Sequence, residues 1–256
     1  MDRSAVPALT RAMTIIDLLA GAGQAGLTVT DIAARTGIAK STTALLCSVL
    51  EHEGMVRKHD GRYRLGRRFL GLAADYLATV DDLEEFYAEV RRLPIVSREA
   101  ARLALLDGTD VIYLARYEAT GRPRRVTGGI GDRFPASITA SGKAMLATLP
   151  AEAVEDRFRG RLLPRYTERS IQALPDLLRD LEAVRERGYA IDDEETNLGQ
   201  VCYAVPVRNA PDEPSELAVS STLTRERASE LSTAEVVAEL TRLAELFRNP
   251  LAGRTF

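Results

Sequence analysis

Between Thr28 and Leu65 the chain is punctuated so closely that only very short elements fit. Thr28-Val29-Thr30-Asp31 has the form of a capping box, in which the Thr hydroxyl accepts the backbone N–H three residues on and the acidic side chain reaches back. The helix it opens stops at Gly37, and a second start follows within four residues at Ala39-Lys40-Ser41. This next helix carries Thr43, Leu46, Cys47 and Leu50 on one face and ends near Gly54. Asp60-Gly61 then separates Met55–His59 from Arg62–Leu65; both central residues of a type I′ turn take positive φ, which suits Asp-Gly. Upstream, Leu9, Ala12, Ile16 and Leu19 fall at helical spacing between Pro7 and Gly21. Three helices followed by a small hairpin make a winged helix-turn-helix.

The charge distribution fits that reading better than the total does. The formal net charge is −3, yet residues 1–74 hold ten Lys/Arg against six Asp/Glu, and the remainder carries −7. Arg57, Lys58, Arg62, Arg64, Arg67 and Arg68 cluster on and just after the hairpin, where they can neutralise backbone phosphates. If Thr43, Leu46, Cys47 and Leu50 face the core, Ser41, Thr42, Ala44, Leu45 and Ser48 face outward. Ser and Thr hydrogen-bond bases or phosphates, and Ala and Leu pack on a thymine methyl. An acidic segment, about Arg67 to Leu93, then reads as a connecting helix.

The remaining sequence alternates strands and helices. Ala101–Leu106 and Val111–Arg116 flank Asp107-Gly108, a second hairpin signal, and Tyr189–Asp192, Val201–Val207 and Glu216–Thr222 read as further strands. Ala140–Leu149 reads as a helix stopped by Pro150, whose N-terminus can hold a carboxylate. Pro175–Arg187 is a helix closed by Gly188, and Ser232-Thr233-Ala234-Glu235 resembles a capping box for a last helix. Gly128, Gly129 and Gly131 lack the dinucleotide spacing, and Ser141-Gly142-Lys143 lacks the upstream glycine of a phosphate loop.

Two cysteines, two histidines and no C-x-x-C exclude a disulfide scaffold and leave little for metal chemistry. No stretch approaches the ~20 apolar residues of a membrane span, and no apolar N-terminal run reads as a signal peptide. The expected location is the cytoplasm, with no membrane partner. Cys202 in an apolar strand and Cys47 on a core face read as packed thiols. His52 and His59 read as surface residues of the wing region. The run Asp192-Asp193-Glu194-Glu195 is a solvated loop or a cation site. Ser141 and Lys143, two apart at a helix start, diverge and make no nucleophile pair.

The stretch ALTRAMTIIDLLA…GLTVTDIAARTGIAKSTTALLCSVLEHEGMVRK…GRYRLG resembles the DNA-binding domain of the IclR family of bacterial transcription regulators. ITASGKAMLATLP, LLPRYTERSI, LEAVRERGYAIDDEETNLGQVCYAVPV and LAVSS resemble, in order, that family's effector-binding domain. The resemblance implies an α+β protein: a winged helix-turn-helix (1–66), a linker helix (67–93) and a GAF-like α/β domain for effector binding and oligomerisation (94–256). It implies operator DNA as partner, a small organic or aromatic acid as effector, assembly as a homodimer or homotetramer, and no cofactor, metal or enzymatic activity. Lys40, Ser41 and Thr42 correspond to the start of the family's recognition helix, Arg62 lies on its wing, and Arg11 corresponds to an Arg on the first helix. Ala140, Ser141, Asp192, Cys202, Ala218 and Ser220 correspond to the positions that bracket the effector.

Three departures carry expectations. Ala44-Leu45 stands where the family has an aromatic or His followed by Arg. An Arg bridges guanine for about 1–3 kcal/mol of discrimination and a Leu does not, so the operator is expected to be more A·T-tolerant. Ala218 in place of Ser implies a larger or more apolar acid. Tyr203, in place of an aliphatic residue, is expected to alter the pocket wall. Two other functions remain open: a ligand-binding assembly module without sequence-specific DNA binding, and a metal-free enzyme with an accessory basic domain.

Overall fold

The computed structural model describes residues 6–77, 83–119, 128–208, 210 and 213–247. The chain divides into two compact units, 1–80 and 81–256.

In the first unit, α1 (Pro7–Ala22), α2 (Val29–Thr36) and α3 (Lys40–His52) precede the hairpin β1 (Val56–His59) and β2 (Arg62–Leu65), and α4 (Arg68–Leu77) follows. The capping box forms: Asp31 N–H donates to Thr28 Oγ1 at 3.2 Å, and Thr28 N–H to Asp31 Oδ2 at 3.0 Å. The Thr28 N–H is also the main reason the Asp31 carboxyl is held below its ordinary range. Gly37, at φ 71°, ends α2 in a left-handed conformation that suits glycine. Asp60 (φ 50°) and Gly61 (φ 73°) turn the wing, pairing His59 with Arg62. Leu27 adds a bridge to Tyr63, with N–H to O distances of 3.0 and 2.7 Å, tying the wing to the segment before α2.

The core of this unit joins Ile15, Ile16 and Leu19 to Ile32, Cys47, Leu50, Val56 and Tyr63. Leu9 is not part of it. Residues 6–11 are all exposed, so the start of α1 projects beyond the core and its apolar face begins to bury only at Ala12. The expected single linker helix is described as α4 and, in the second unit, α5 (Leu83–Val90); residues 78–82 lie outside the described residues.

The second unit continues with β3 (Ala100–Asp107), β4 (Asp110–Glu118), β5 (Arg133–Pro135), α6 (Ala140–Leu146), α7 (Ala151–Phe158), α8 (Leu174–Arg187), β6 (Ala190–Asp193), β7 (Gln200–Pro206), β8 (Leu217–Thr224), α9 (Arg225–Glu230) and α10 (Thr233–Glu245). The strands form one antiparallel sheet in the order β5-β4-β3-β8-β7-β6. On one face Ala104, Ala204 and Ala218 lie under Ala140, Ala144 and Met145 of α6, with Leu177, Leu181 and Val184 of α8 in the same cluster. Small side chains let α6 sit close: a Cβ on Gly142 would lie 2.3 Å from the Ala136 backbone. Strand alternation sends Val201, Tyr203 and Val205 to the other face, where α10 packs.

Two boundaries depart from the sequence expectation. α6 ends at Leu146 rather than Leu149. Thr148 and Leu149 tighten onto carbonyls three residues back, because Pro150 biases the preceding residue away from α. At α10 the Ser232 side chain makes no cap; its carbonyl accepts Glu235 and Val236 N–H at 3.1 and 3.2 Å instead. The preceding helix, α9, does have a side-chain cap, Thr224 Oγ1 accepting the Arg227 N–H at 3.2 Å.

Candidate nucleic-acid interface and effector pocket

Helix α3 buries Thr43, Cys47 and Leu50 and exposes Ser41, Ala44, Leu45 and Ser48, with Thr42 half-buried. Thr43 Oγ1 donates to Ala39 O at 3.1 Å, so its hydroxyl serves the helix start. Burial pushes the Cys47 thiol up to about 11 and keeps it protonated. Val49, absent from the sequence-derived set, is also exposed and lies one turn beyond Leu45. Lys40 and Arg11 are exposed on α3 and α1, as are Arg57, Lys58 and Arg62 on the wing. Arg62 is partly engaged already: its Nη1 donates to Gly26 O at 3.2 Å and lies 3.9 Å from Asp31 Oδ2.

In the second unit, sheet register rather than sequence proximity assembles a buried polar cluster. Cys202 stands opposite Asp192 on β6 and Thr222 on β8, while Ser220 stands opposite Ala204 on β7 and Arg102 on β3. The Cys202 thiol and Thr222 hydroxyl are 3.1 Å apart, and Arg102 Nη1 donates to the same hydroxyl at 2.8 Å. The Arg102 guanidinium, on a side chain only 5 % exposed, lies 5.3 Å from the centre of the Tyr113 ring. The Tyr113 phenol is pushed up to about 12 by burial, against the pull of Arg102. The Ser141 side chain is the near neighbour that, after Arg102, favours ionisation of the Tyr113 hydroxyl. Burial likewise raises the Asp192 carboxyl, opposed first by Thr196, and pushes the Cys202 thiol up to about 12, where it is a poor nucleophile.

Of the six predicted effector positions, Asp192, Cys202, Ser220 and Ser141 meet at this cluster, with Ala140 beside Ser141; Ala218 lies deeper in the apolar layer. Tyr203 is not on this wall. It points to the opposite sheet face, where its hydroxyl meets Thr233 Oγ1 at 3.4 Å, because neighbouring strand residues face opposite ways. The start of α6 is itself capped, Thr139 Oγ1 accepting the Gly142 N–H at 3.2 Å. The sequence reading missed Arg102 and Tyr113, since an Arg and a Tyr in amphipathic strands carry no local mark of facing inward.

The acidic run beside the cluster is neither a solvated loop nor a cation site. Asp192 Oδ1 accepts Glu195 and Thr196 N–H at 2.7 and 3.1 Å. Arg169 and Arg225 both pair with Asp193 and Glu194, and Glu195 pairs with Lys143. Lys143 therefore points away from Ser141, towards Glu195 and, at 2.9 Å, Asp180.

A model of the IclR helix-turn-helix domain matches residues 8–60, and one of the bacterial transcriptional regulator IclR C-terminal domain matches residues 74–247. The chain belongs to the IclR family of bacterial transcriptional regulators. The HTH-type transcriptional repressor AllR of Klebsiella pneumoniae is 31 % identical over 78 % of this chain and 74 % of its own. A crystal structure of an IclR transcriptional regulator from Alicyclobacillus acidocaldarius superposes with a TM-score of 0.78 at 28 % identity, covering 95 % of this chain and 98 % of that one. An IclR homologue from Microbacterium hydrocarbonoxydans, complexed with 4-hydroxybenzoate, shares the fold with a TM-score of 0.76 at 22 % identity, over 94 % and 97 % of the two chains. This IclR-family chain thus pairs a winged helix-turn-helix for DNA with an α/β effector domain. Among its described residues no helix is long and apolar enough to cross a membrane.

Proposed function

We propose that this regulator binds operator DNA through α3 and the wing, and that a small organic acid held at the Arg102–Tyr113–Asp192–Cys202 cluster modulates that binding. The observation that carries the effector half is Arg102: a buried cation beside hydroxyls and an aromatic ring suits a carboxylate attached to an apolar or aromatic body. Ala140, Ser141 and Ser220 complete the lining, with Ala218 in the apolar layer behind them. The Microbacterium homologue, which shares the fold, is described with 4-hydroxybenzoate, so aromatic monocarboxylates come first in a screen. Residues 1–66 serve as the DNA-reading module, 67–93 as the connector that carries the coupling, and 94–256 as the effector and oligomerisation module. The protein works in the cytoplasm as a homodimer or homotetramer and turns over no substrate.

The test is a gel shift against the DNA upstream of the protein's own gene, combined with a thermal-shift screen of organic and aromatic acids. An effector at a hundred times its Kd should stabilise the protein by about 2.7 kcal/mol and change its operator affinity, because a ligand acts only through differential binding to the two states. Acids that stabilise the protein without altering the gel shift reject the regulatory reading.

The wing makes a separate prediction. Arg62 is a poor probe because it also holds Gly26, whereas Arg57 and Lys58 are exposed. The double variant Arg57→Ala/Lys58→Ala should weaken binding to all duplexes and lower the slope of log K against log salt by about 2. An unchanged slope removes the wing from the interface.

A further inference from the structure

Helix α3 presents an unusual surface for a helix that reads DNA. Leu45 is 65 % exposed and Val49 53 % exposed, one turn apart, with Ala44 beside them and Ser41, Ser48 and, at the helix end, His52 as exposed polar neighbours. None of residues 41–50 is Arg, Lys, Asn or Gln, so around Leu45 and Val49 no side chain bridges guanine or adenine bidentately, and Lys40 at the helix start is the nearest that could. One exposed Leu is ordinary, but an aliphatic pair on one helix face is a surface that gains by being covered. The apolar group that base edges offer in the major groove is the C5-methyl of thymine, and 5-methylcytosine carries a methyl at the same ring position.

We propose that Leu45 and Val49 of α3 read pyrimidine C5-methyl groups, so that operator affinity depends on those methyls and 5-methylcytosine can stand in for thymine. The proposal rests on α3 facing the major groove. Charge argues for DNA rather than a second copy of this chain as the occupant. Lys40 starts the helix and Arg57 and Lys58 are exposed in the same unit; these attract phosphates and would repel their own duplicates. The four residues from Leu45 to Val49 advance about 6 Å against about 3.4 Å per base step, which places the two methyls roughly two steps apart. Burying one methyl-sized group corresponds to about a fourfold change in affinity.

The experiment starts from a random duplex library selected with the full chain, followed by affinity measurements on the enriched duplex. Deoxyuridine, which lacks only the methyl, replaces thymidine one position at a time. Two positions about two steps apart should each lose about fourfold, and 5-methyldeoxycytidine should bind more tightly than deoxycytidine there. Leu45→Ala should erase the methyl dependence at one position and Val49→Ala at the other; both side chains are exposed, so the variants should keep the wild-type circular dichroism. An enriched duplex indifferent to deoxyuridine overturns the methyl reading while leaving operator binding intact. Failure to enrich any sequence overturns operator recognition and the methyl reading together. A lower molecular mass of either variant by light scattering would assign the face to contact between copies instead.

Discussion

Replacing Lys143 with Met is expected to destabilise the effector unit by about 3–5 kcal/mol, the usual cost of removing one partner from a buried ionic cluster. Lys143 is 1 % exposed and bonds Glu195 on one side and Asp180, at 2.9 Å, on the other. Without it the buried Glu195 carboxylate loses its cation in a site that hydrates it poorly, while the partly exposed Asp180 keeps Arg187 at 3.8 Å. The effect should depend on pH. Burial already pushes the Glu195 carboxyl up to about 7, with Lys143 the main opposing influence. A carboxyl raised in the folded state binds a proton that the unfolded chain has released. Wild-type stability from this group therefore declines as pH rises from about 4.5 to about 7 and is level above that. In Lys143→Met the decline should extend to higher pH, so the loss relative to wild type is larger at pH 8 than at pH 5. Urea denaturation followed by circular dichroism at both values measures it. A loss below about 1 kcal/mol, or one equal at the two pH values, would show that the cluster does not hold the unit together.

Arg102→Gln should weaken effector binding by about 30-fold or more while leaving DNA binding without effector unchanged. Truncating one member of a desolvated charge pair costs about 2–5 kcal/mol, and every 1.4 kcal/mol is tenfold. Gln removes the charge, and because its amide nitrogen reaches only as far as the Arg Nε, the bond from Nη1 to the Thr222 hydroxyl goes with it. Calorimetric titration with an acid found by thermal shift gives the affinity. If the acid binds Arg102→Gln as it binds the wild type, its carboxylate sits elsewhere. Arg102→Lys separates charge from shape, because the ammonium keeps the charge and loses the planar fork that matches a carboxylate.

The winged helix-turn-helix was legible because its signals are local. Thr28 and Asp31 close their box within one turn, Gly37 takes the left-handed cap, and Asp60-Gly61 sets the hairpin without help from distant residues. The exposed face of α3 follows from helical periodicity for the same reason, and the same period carries it one turn on from Leu45 to Val49. The buried polar cluster around Arg102 was hidden because its geometry comes from pairing across the sheet. Arg102 meets Ser220, more than a hundred residues away, and β3 shifts register between Leu103 and Ala104, so alternation along one strand does not say which residues look inward. Lys143 was read correctly as diverging from Ser141, but its partners on α8 and after β6 leave no mark in the local sequence. Ser232 had the right spelling for a capping box, yet its main-chain carbonyl supplies the helix start.

The β3–β8 pairing at the middle of the sheet bears on how the protein is made. On a ribosome adding ~5–20 residues per second, β3 waits roughly 5–25 s for β8 to emerge. During that interval β3 and β4 can form their hairpin, but the far edge of β3 stays open, a template for pairing with another nascent chain. The first unit has no such wait, since the Leu27–Tyr63 bridge and the packing of α1 on β2 both close within its own few dozen residues. Contacts that local form fast. Each molecule therefore acquires the fold that grips DNA before it has the fold that senses a ligand, and an abortive product ending before Leu217 would carry the grip without the control.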